Sequence, residues 1–142
     1  MSYLLDTNVL SELRRKMPHP DVLQWFEGRP ASTLFLSVLT LGEIRKGIQA
    51  LPQAGRREML VDWLETELTA FFSRRILSVD AAVADRWGRL VADAGRPVPA
   101  IDSLLAATAL EHDLTLVTRN TKDFEGLGVS LVDPWAGTRY RR

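Results

Sequence analysis

Short apolar runs alternate along this chain with longer stretches in which apolar residues return every three or four positions. The runs are Tyr3-Leu4-Leu5, Thr33-Leu34-Phe35-Leu36-Ser37-Val38, Ile76-Leu77-Ser78-Val79, Leu114-Thr115-Leu116-Val117-Thr118 and Val129-Ser130-Leu131-Val132. Several are apolar throughout, the pattern of strands buried on both faces. Between them the period changes to that of a helix. Val9, Leu10 and Leu13 follow Thr7 and Asn8, either of which can cap, and Pro18 and Pro20 end that segment. A short amphipathic piece with Val22, Leu23, Trp25 and Phe26 runs from Asp21 to the breakers Gly28 and Pro30. Leu41, Ile44 and Ile48 mark a helix from about Thr40 to Gln49, and Met59, Leu60, Trp63, Leu64, Leu68 and Phe71 a longer one from Arg56 to Phe72. Asp80 is placed to cap a helix over 81–94 that Gly95 ends. The stiff Arg96-Pro97-Val98-Pro99 link leads into the Ala- and Leu-rich helix 100–112, and 120–127 reads as a turn with a short helix.

The resulting order is β-α-α-β-α-α-β-α-α-β-α-β. Strands that alternate with helices predict an α/β domain, a mostly parallel sheet covered on both faces. No internal repeat, low-complexity stretch or inter-domain linker interrupts the 142 residues, which read as one domain (1–142) with a flexible C-terminal tail from about 136.

Composition narrows the chemistry. The chain has no cysteine, so disulfides, thiolate nucleophiles and thiolate metal sites are excluded. No apolar run approaches the ~20 residues of a membrane span, and no charged n-region precedes the first strand, so a cytoplasmic location is expected. Formal net charge is zero, which argues against indiscriminate binding of nucleic acid over the whole surface. The charge is nonetheless uneven: Arg14-Arg15-Lys16, Arg45-Lys46, Arg56-Arg57, Arg74-Arg75 and the tail Arg139, Arg141, Arg142 are local basic clusters. There is no GxxxxGK[ST] loop, GxGxxG or GxSxG elbow. His19 and His112 lack metal-ligand spacing to a partner and read as surface residues. Trp25, Trp63, Trp87 and Trp135 read as packing residues.

Four distant segments place an acid or amide where an apolar run ends or a helix begins: Asp6 after the first strand, Glu43 in the helix after the second, Asp102 in the first turn of its helix, and Asn120 and Asp123 after the fourth strand. Taken singly, each has a structural reading. Asp6 and Asp102 can cap helices, Glu43 can be a surface residue, Asp123 a turn residue, and Ser103 and Thr118 capping or strand residues. Taken together, they point to a divalent cation. Ligands of an open parallel sheet gather at the carboxyl ends of its strands, and hard cations such as Mg²⁺ want clustered oxygen donors. Metal-assisted phosphodiester chemistry is the corresponding reaction class.

The same segments carry a resemblance. Leu4-Leu5-Asp6-Thr7-Asn8-Val9-Leu10-Ser11-Glu12 resembles the opening motif of PIN domains. Ser37-Val38-Leu39-Thr40-Leu41-Gly42-Glu43-Ile44-Arg45-Lys46-Gly47, Asp102-Ser103-Leu104-Leu105-Ala106-Ala107-Thr108-Ala109, Leu116-Val117-Thr118-Arg119-Asn120-Thr121-Lys122-Asp123-Phe124 and Val132-Asp133-Pro134-Trp135 resemble, in order, the later motifs of VapC-type, FitB-like toxins of type II toxin–antitoxin pairs. The resemblance implies a three-layer α/β/α sandwich around a mostly parallel sheet of four to five strands. It implies an endoribonuclease dependent on Mg²⁺ or Mn²⁺, with Asp6, Glu43 and Asp102 as acidic core and metal ligands, and Asn120 and Asp123 completing the catalytic set. Asn120 stands where the family often has an acid. Implied partners are RNA, a VapB-like antitoxin whose peptide crosses the acidic pocket, and a second copy in a homodimer. Leu10, Leu13, Val22, Trp25, Phe26 and the Ile44–Ile48 helix are candidates for the antitoxin contact, and the basic clusters for RNA phosphates. Two other functions remain open at this level: a catalytically degenerate RNA- or antitoxin-binding regulator, which Asn120 favours, and a nuclease acting on DNA.

Overall fold

The structure, a computed structural model, describes residues 1–140. Five parallel strands form its centre: β1 (Tyr3–Leu5), β2 (Leu34–Ser37), β3 (Ile76–Leu77), β4 (Thr115–Val117) and β5 (Leu131–Asp133). A sixth, β6 (Thr138–Tyr140), runs antiparallel to β5, and the order across the sheet is β3-β2-β1-β4-β5-β6. The sequence marks this last region as a flexible tail; 138–140 instead pair with β5, while 141–142, with Arg141 and Arg142, lie outside the described residues.

Pleating divides the core. Tyr3 and Leu5 of β1 join Leu34, Leu36, Val117 and Val132 on one face. Leu4 joins Leu116 and Leu131 on the other. The first face is covered by α1 (Thr7–Arg14), α2 (Pro20–Glu27), α3 (Val38–Gln49) and a rod that begins as α4 (Ala54–Asp62) and ends as α5 (Thr69–Phe71). The second is covered by α6 (Ala81–Asp93), α7 (Ala100–Glu111) and a 3-10 turn at Thr121–Phe124, whose Phe124 is buried. Both faces are therefore dry, which is why the strands carry apolar residues in both registers. This is the three-layer α/β/α arrangement expected.

Two differences from the sequence reading have local causes. The helix expected over 56–72 is interrupted by a π-helical stretch, Trp63–Leu68, which turns Leu64 and Leu68 into the core; an i→i+5 ladder leaves no signature in a 3.6-residue periodicity. The helix expected from Thr40 begins at Val38, because Ser37 ends β2 and caps α3 in one residue, its Oγ accepting from Leu39 N at 3.0 Å. That junction, with no intervening loop, fixes Glu43 over the carboxyl edge of the sheet.

Candidate active site

β1 leads leftward to β2 and β3, and the chain then returns to place β4 on the other side of β1. The strand order reverses between β1 and β4, the position at which parallel sheets offer a crevice. The backbone ladder continues one residue past both strands: Asp6 N donates to Val117 O at 2.9 Å and Thr118 N to Val132 O at 3.0 Å. Asp6 and Thr118 thus emerge side by side, and Thr118 Oγ1 donates to Asp6 Oδ2 at 2.8 Å.

Asp6 also caps α1, its Oδ1 accepting from Thr7 N at 2.7 Å. The capping reading of this residue is therefore right, and its second oxygen faces Thr118. The Thr7 hydroxyl donates to Glu43 Oε1, also at 2.7 Å, so one residue grips two carboxylates contributed by different elements. Thr118 Oγ1 in turn accepts from Asn8 Nδ2 at 3.3 Å and Asn120 N at 3.0 Å. Asp102 arrives from the first turn of α7, where the helix dipole favours an anion. Its neighbour Ser103 is buried and locks that turn, donating to Pro99 O or Ala100 O and accepting from Trp87 Nε1 at 2.8 Å.

These groups line one cleft of about 540 Å³, bounded by Asp6, Glu43 and Asp102 together with Asn8, Glu12, Arg15, Arg119, Asn120 and Trp135. Asp6 is 8% exposed, and burial pushes its pKa up. The hydrogen bonds from Thr118 and Thr7 pull the other way, and the charges of Glu43 and Asp123 add to the rise. Asp102 is raised for the same reasons: burial first, then the charges of Asp6, Asp123 and Glu43. Four acids thus share one field, three lining the cleft and exposed Asp123 beside it, and their charges discourage Asp6 and Asp102 from ionising. Asn120 sits in the cleft wall, with its backbone tied to Thr118.

The donor set is all oxygen and amide, without histidine, as a hard cation requires. Among the described residues no three acidic or histidine side chains are arranged to hold an ion directly. Mg²⁺ typically takes only one or two protein carboxylates and keeps several waters, so the carboxylates present fit such an ion.

Several residues emerge that sequence reasoning set aside. Thr118, read as a capping or strand residue, is the hydrogen-bond hub of the site. Glu12 is 6% exposed in the cleft wall, accepting from His19 N at 3.0 Å. Its signals in the sequence are its place at the end of the opening motif and one turn beyond Asn8 on the same face of α1. Arg119 stacks on Trp135, its guanidinium carbon 5.3 Å from the ring centroid. Of the basic clusters, Arg15 reaches the cleft, whereas Arg14 lies over Trp63 at 5.6 Å and Arg45 pairs with Glu65. His19 caps α2, its Nδ1 accepting from Asp21 N at 3.2 Å.

A second concavity, of about 370 Å³, lies on the other side of α1 and is lined by Leu10, Leu13, Phe26, Trp63, Leu68 and Phe71, with Arg14 and Glu67 among the polar groups. Leu10, Leu13 and Phe26 are three of the residues expected to meet a partner. Val22, Ile44 and Ile48 do not line the groove, and Trp25 lies away from it, edge-on to Tyr3 at 5.0 Å.

The PIN domain profile matches residues 3–128 of the chain. The plasmid stability protein StbB of Pseudomonas syringae is 38% identical over 135 residues, covering 93% of this chain and 97% of that protein. The VapC ribonuclease Y4jK of Sinorhizobium fredii is 36% identical, covering 93% and 96%. The crystal structure of FitAcB from Neisseria gonorrhoeae superposes with a TM-score of 0.87 at 34% identity, over 94% of this chain and 98% of that one. With its fold, its motif order and these likenesses in agreement, the chain belongs to the PIN domain family, in the VapC-type, FitB-like branch.

Proposed function

We propose that this chain is an endoribonuclease, the toxin of a toxin–antitoxin pair, and that it hydrolyses RNA phosphodiester bonds in the acidic cleft with the help of Mg²⁺ or Mn²⁺. One observation carries the reading: Thr7 fastens Asp6 and Glu43 together in a cleft that Asp102 also lines. A fold gains nothing in stability from gathering carboxylates that repel one another, so their convergence reflects chemistry.

Asp6 and Asp102 would hold the cation, with Glu43 and Asp123 in the field around it. Bound there, the ion supplies Lewis-acid charge that offsets the negative charge building on the phosphate and favours deprotonation of water. The remaining work falls to the chain. Thr7 and Thr118 are positioning residues: their hydrogen bonds hold Asp6 in one rotamer and leave its remaining lone pairs facing the cleft. The attacking water gives up its proton to solvent. As the water oxygen bonds to phosphorus, the ester P–O bond breaks and the leaving oxygen is protonated from solvent. We assign the fourth acid to Asp123, whose charge already reaches Asp6 and Asp102, and a cleft-wall role to Asn120.

The apolar groove is the surface we assign to the antitoxin. It adjoins the cleft through α1, so one peptide can fill the groove and still place a guanidinium among the acids.

The test is cleavage of pooled cellular RNA by purified protein. Cleavage with Mg²⁺ or Mn²⁺, arrest by EDTA and loss in Asp6→Ala are expected, as is growth arrest on expression that Asp6→Ala relieves. Intact RNA in every metal condition, with Asp6→Ala as toxic as the parent, overturns the reading.

A further inference from the structure

The cleft is bipolar. Opposed to its acids are two guanidinium groups, Arg15 and Arg119, and an indole, Trp135. Arg15 comes from the end of α1, Trp135 from beyond β5 and Arg119 from beyond β4. Nothing in sequence binds these three together. One buried carboxylate does so in space. Glu12 Oε2 accepts from His19 N at 3.0 Å, which draws the α1–α2 connection against the wall. Both Glu12 oxygens accept from Arg15 Nη1, at 3.3 and 3.4 Å. The Trp135 indole also favours the charged form of Glu12, and Arg119 lies on that indole at 5.3 Å. Unlike Asp6 and Asp102, Glu12 is held well ionised: the His19 N–H lowers its pKa most, followed by the Arg15 charge, against the cost of burial. A charged group that is already satisfied in this way is not the reacting acid. It is an anchor.

We propose that Arg15 and Arg119 form a phosphate-holding wall that seats the RNA backbone next to the scissile bond, and that Glu12 is the positioning residue that sets this wall. The proposal rests on the nuclease reading for its substrate. The acids alone would repel a polyanion, and the formal charge of the chain is zero. Attraction must then be local, and these are the guanidinium groups that line the cleft. Arginine suits the task, since its planar fork matches a phosphate and stacks on an aromatic ring. Trp135 gives Arg119 a fixed plane, so little freedom is lost when phosphate binds. Arg15 and Arg119 are exposed and replaceable without harm to the core.

The experiment measures binding of a short fluorescein-labelled single-stranded RNA to the full chain carrying Asp6→Asn, which leaves the probe uncut, across a range of salt concentrations. Arg15→Gln and Arg119→Gln are each expected to weaken binding and to reduce the slope of log K against log salt by about 0.7. Glu12→Gln discriminates further. If Glu12 were merely one more negative charge near the site, its removal would tighten RNA binding. As the anchor of the wall, its removal weakens binding, although the chain has become more positive. In the catalytically intact background, the same three variants should raise KM with kcat little changed. Unchanged slopes in both arginine variants, or tighter binding in Glu12→Gln, overturn the proposal. Should Glu12→Gln fail to fold, the two arginine variants still decide. The nuclease reading fails separately: a parent that binds RNA through this wall but never cuts it sinks that reading and leaves the wall standing.

Discussion

Helix α1 has two faces, and they differ in kind. Asn8, Ser11, Glu12 and Arg15 recur at helical spacing along the cleft, while Leu10, Leu13 and Arg14 line the apolar groove. On the first face nearly every polar group is tied to another: Asn8 to Thr118 and Arg119, Glu12 to His19 and Arg15. The second face has loose edges. Phe71 is 42% exposed and touches Phe26 at 5.8 Å and Phe72 at 4.8 Å. A site meant for chemistry is organised before its substrate arrives, because its geometry must be fixed. A site meant for a protein partner can leave apolar area waiting, because non-directional burial supplies most of the contact.

The sharpest way to break this comparison is Asp6→Asn. Loss of the charge at the centre of the cleft should lower RNA cleavage by about 10³-fold, while antitoxin binding, losing one charge beside the guanidinium but keeping the groove contact, weakens far less in pull-down or calorimetry. Phe71→Asp should do the reverse. Cleavage stays close to that of the parent, while binding of the antitoxin weakens by about 2 kcal/mol, the scale of an interface hot spot. If Phe71→Asp instead abolishes cleavage, the two faces are not separable. A gentler probe is Thr7→Val. It keeps the backbone N–H that holds Asp6 but removes the hydroxyl that holds Glu43. A loss of about 1–2 kcal/mol in transition-state stabilisation, or roughly tenfold in rate, is expected, with the melting temperature little changed.

The smallest effect is on stability, and its sign separates the cleft acids from Glu12. Asp6 and Asp102 have raised native pKa values, so the metal-free native protein holds protons that the unfolded chain has released. Stability should therefore rise as pH falls through the window just above the ordinary aspartate value of 3.8. Glu12 is lowered, so its contribution is present above the ordinary glutamate value of 4.5 and is lost as pH falls below it. Chemical unfolding of metal-free protein across mildly acidic pH checks this. Asp6→Asn should flatten the first slope and raise the melting temperature by a few degrees, and Mn²⁺ should stabilise the parent but not that variant.

The fold was legible because its strands are buried on both faces and its helices carry wide apolar stripes. Leu4-Leu5, Leu34 to Leu36 and Leu116-Val117 show in the sequence the two-sided burial they have in space. Capping chemistry also shows: Asp80 accepts from Val83 N, as its position before Ala81 predicts. What stayed hidden depends on contacts between distant residues. Thr118 looks like any strand-end threonine until β4 is set beside β1. Glu12 looks like a solvated helix residue until the His19 connection folds over it. β6 escaped notice because Thr138-Arg139-Tyr140 carries no apolar run of the kind that marks the other strands. Asp6, Glu43 and Asp102 were recognisable as a set through their motifs; the hydroxyl that joins the first two was not, since no spacing rule links residue 7 to residue 43.

The bond from Thr118 to Asp6 spans 112 positions. During synthesis, a chain that has reached α7 already carries Asp6, Glu43 and Asp102 but lacks Thr118 and Asp123. The acidic cleft therefore cannot be finished before most of the polypeptide has been made. A product that ends between α7 and β4 carries three of the acids and none of the strand whose Thr118 hydroxyl aligns Asp6.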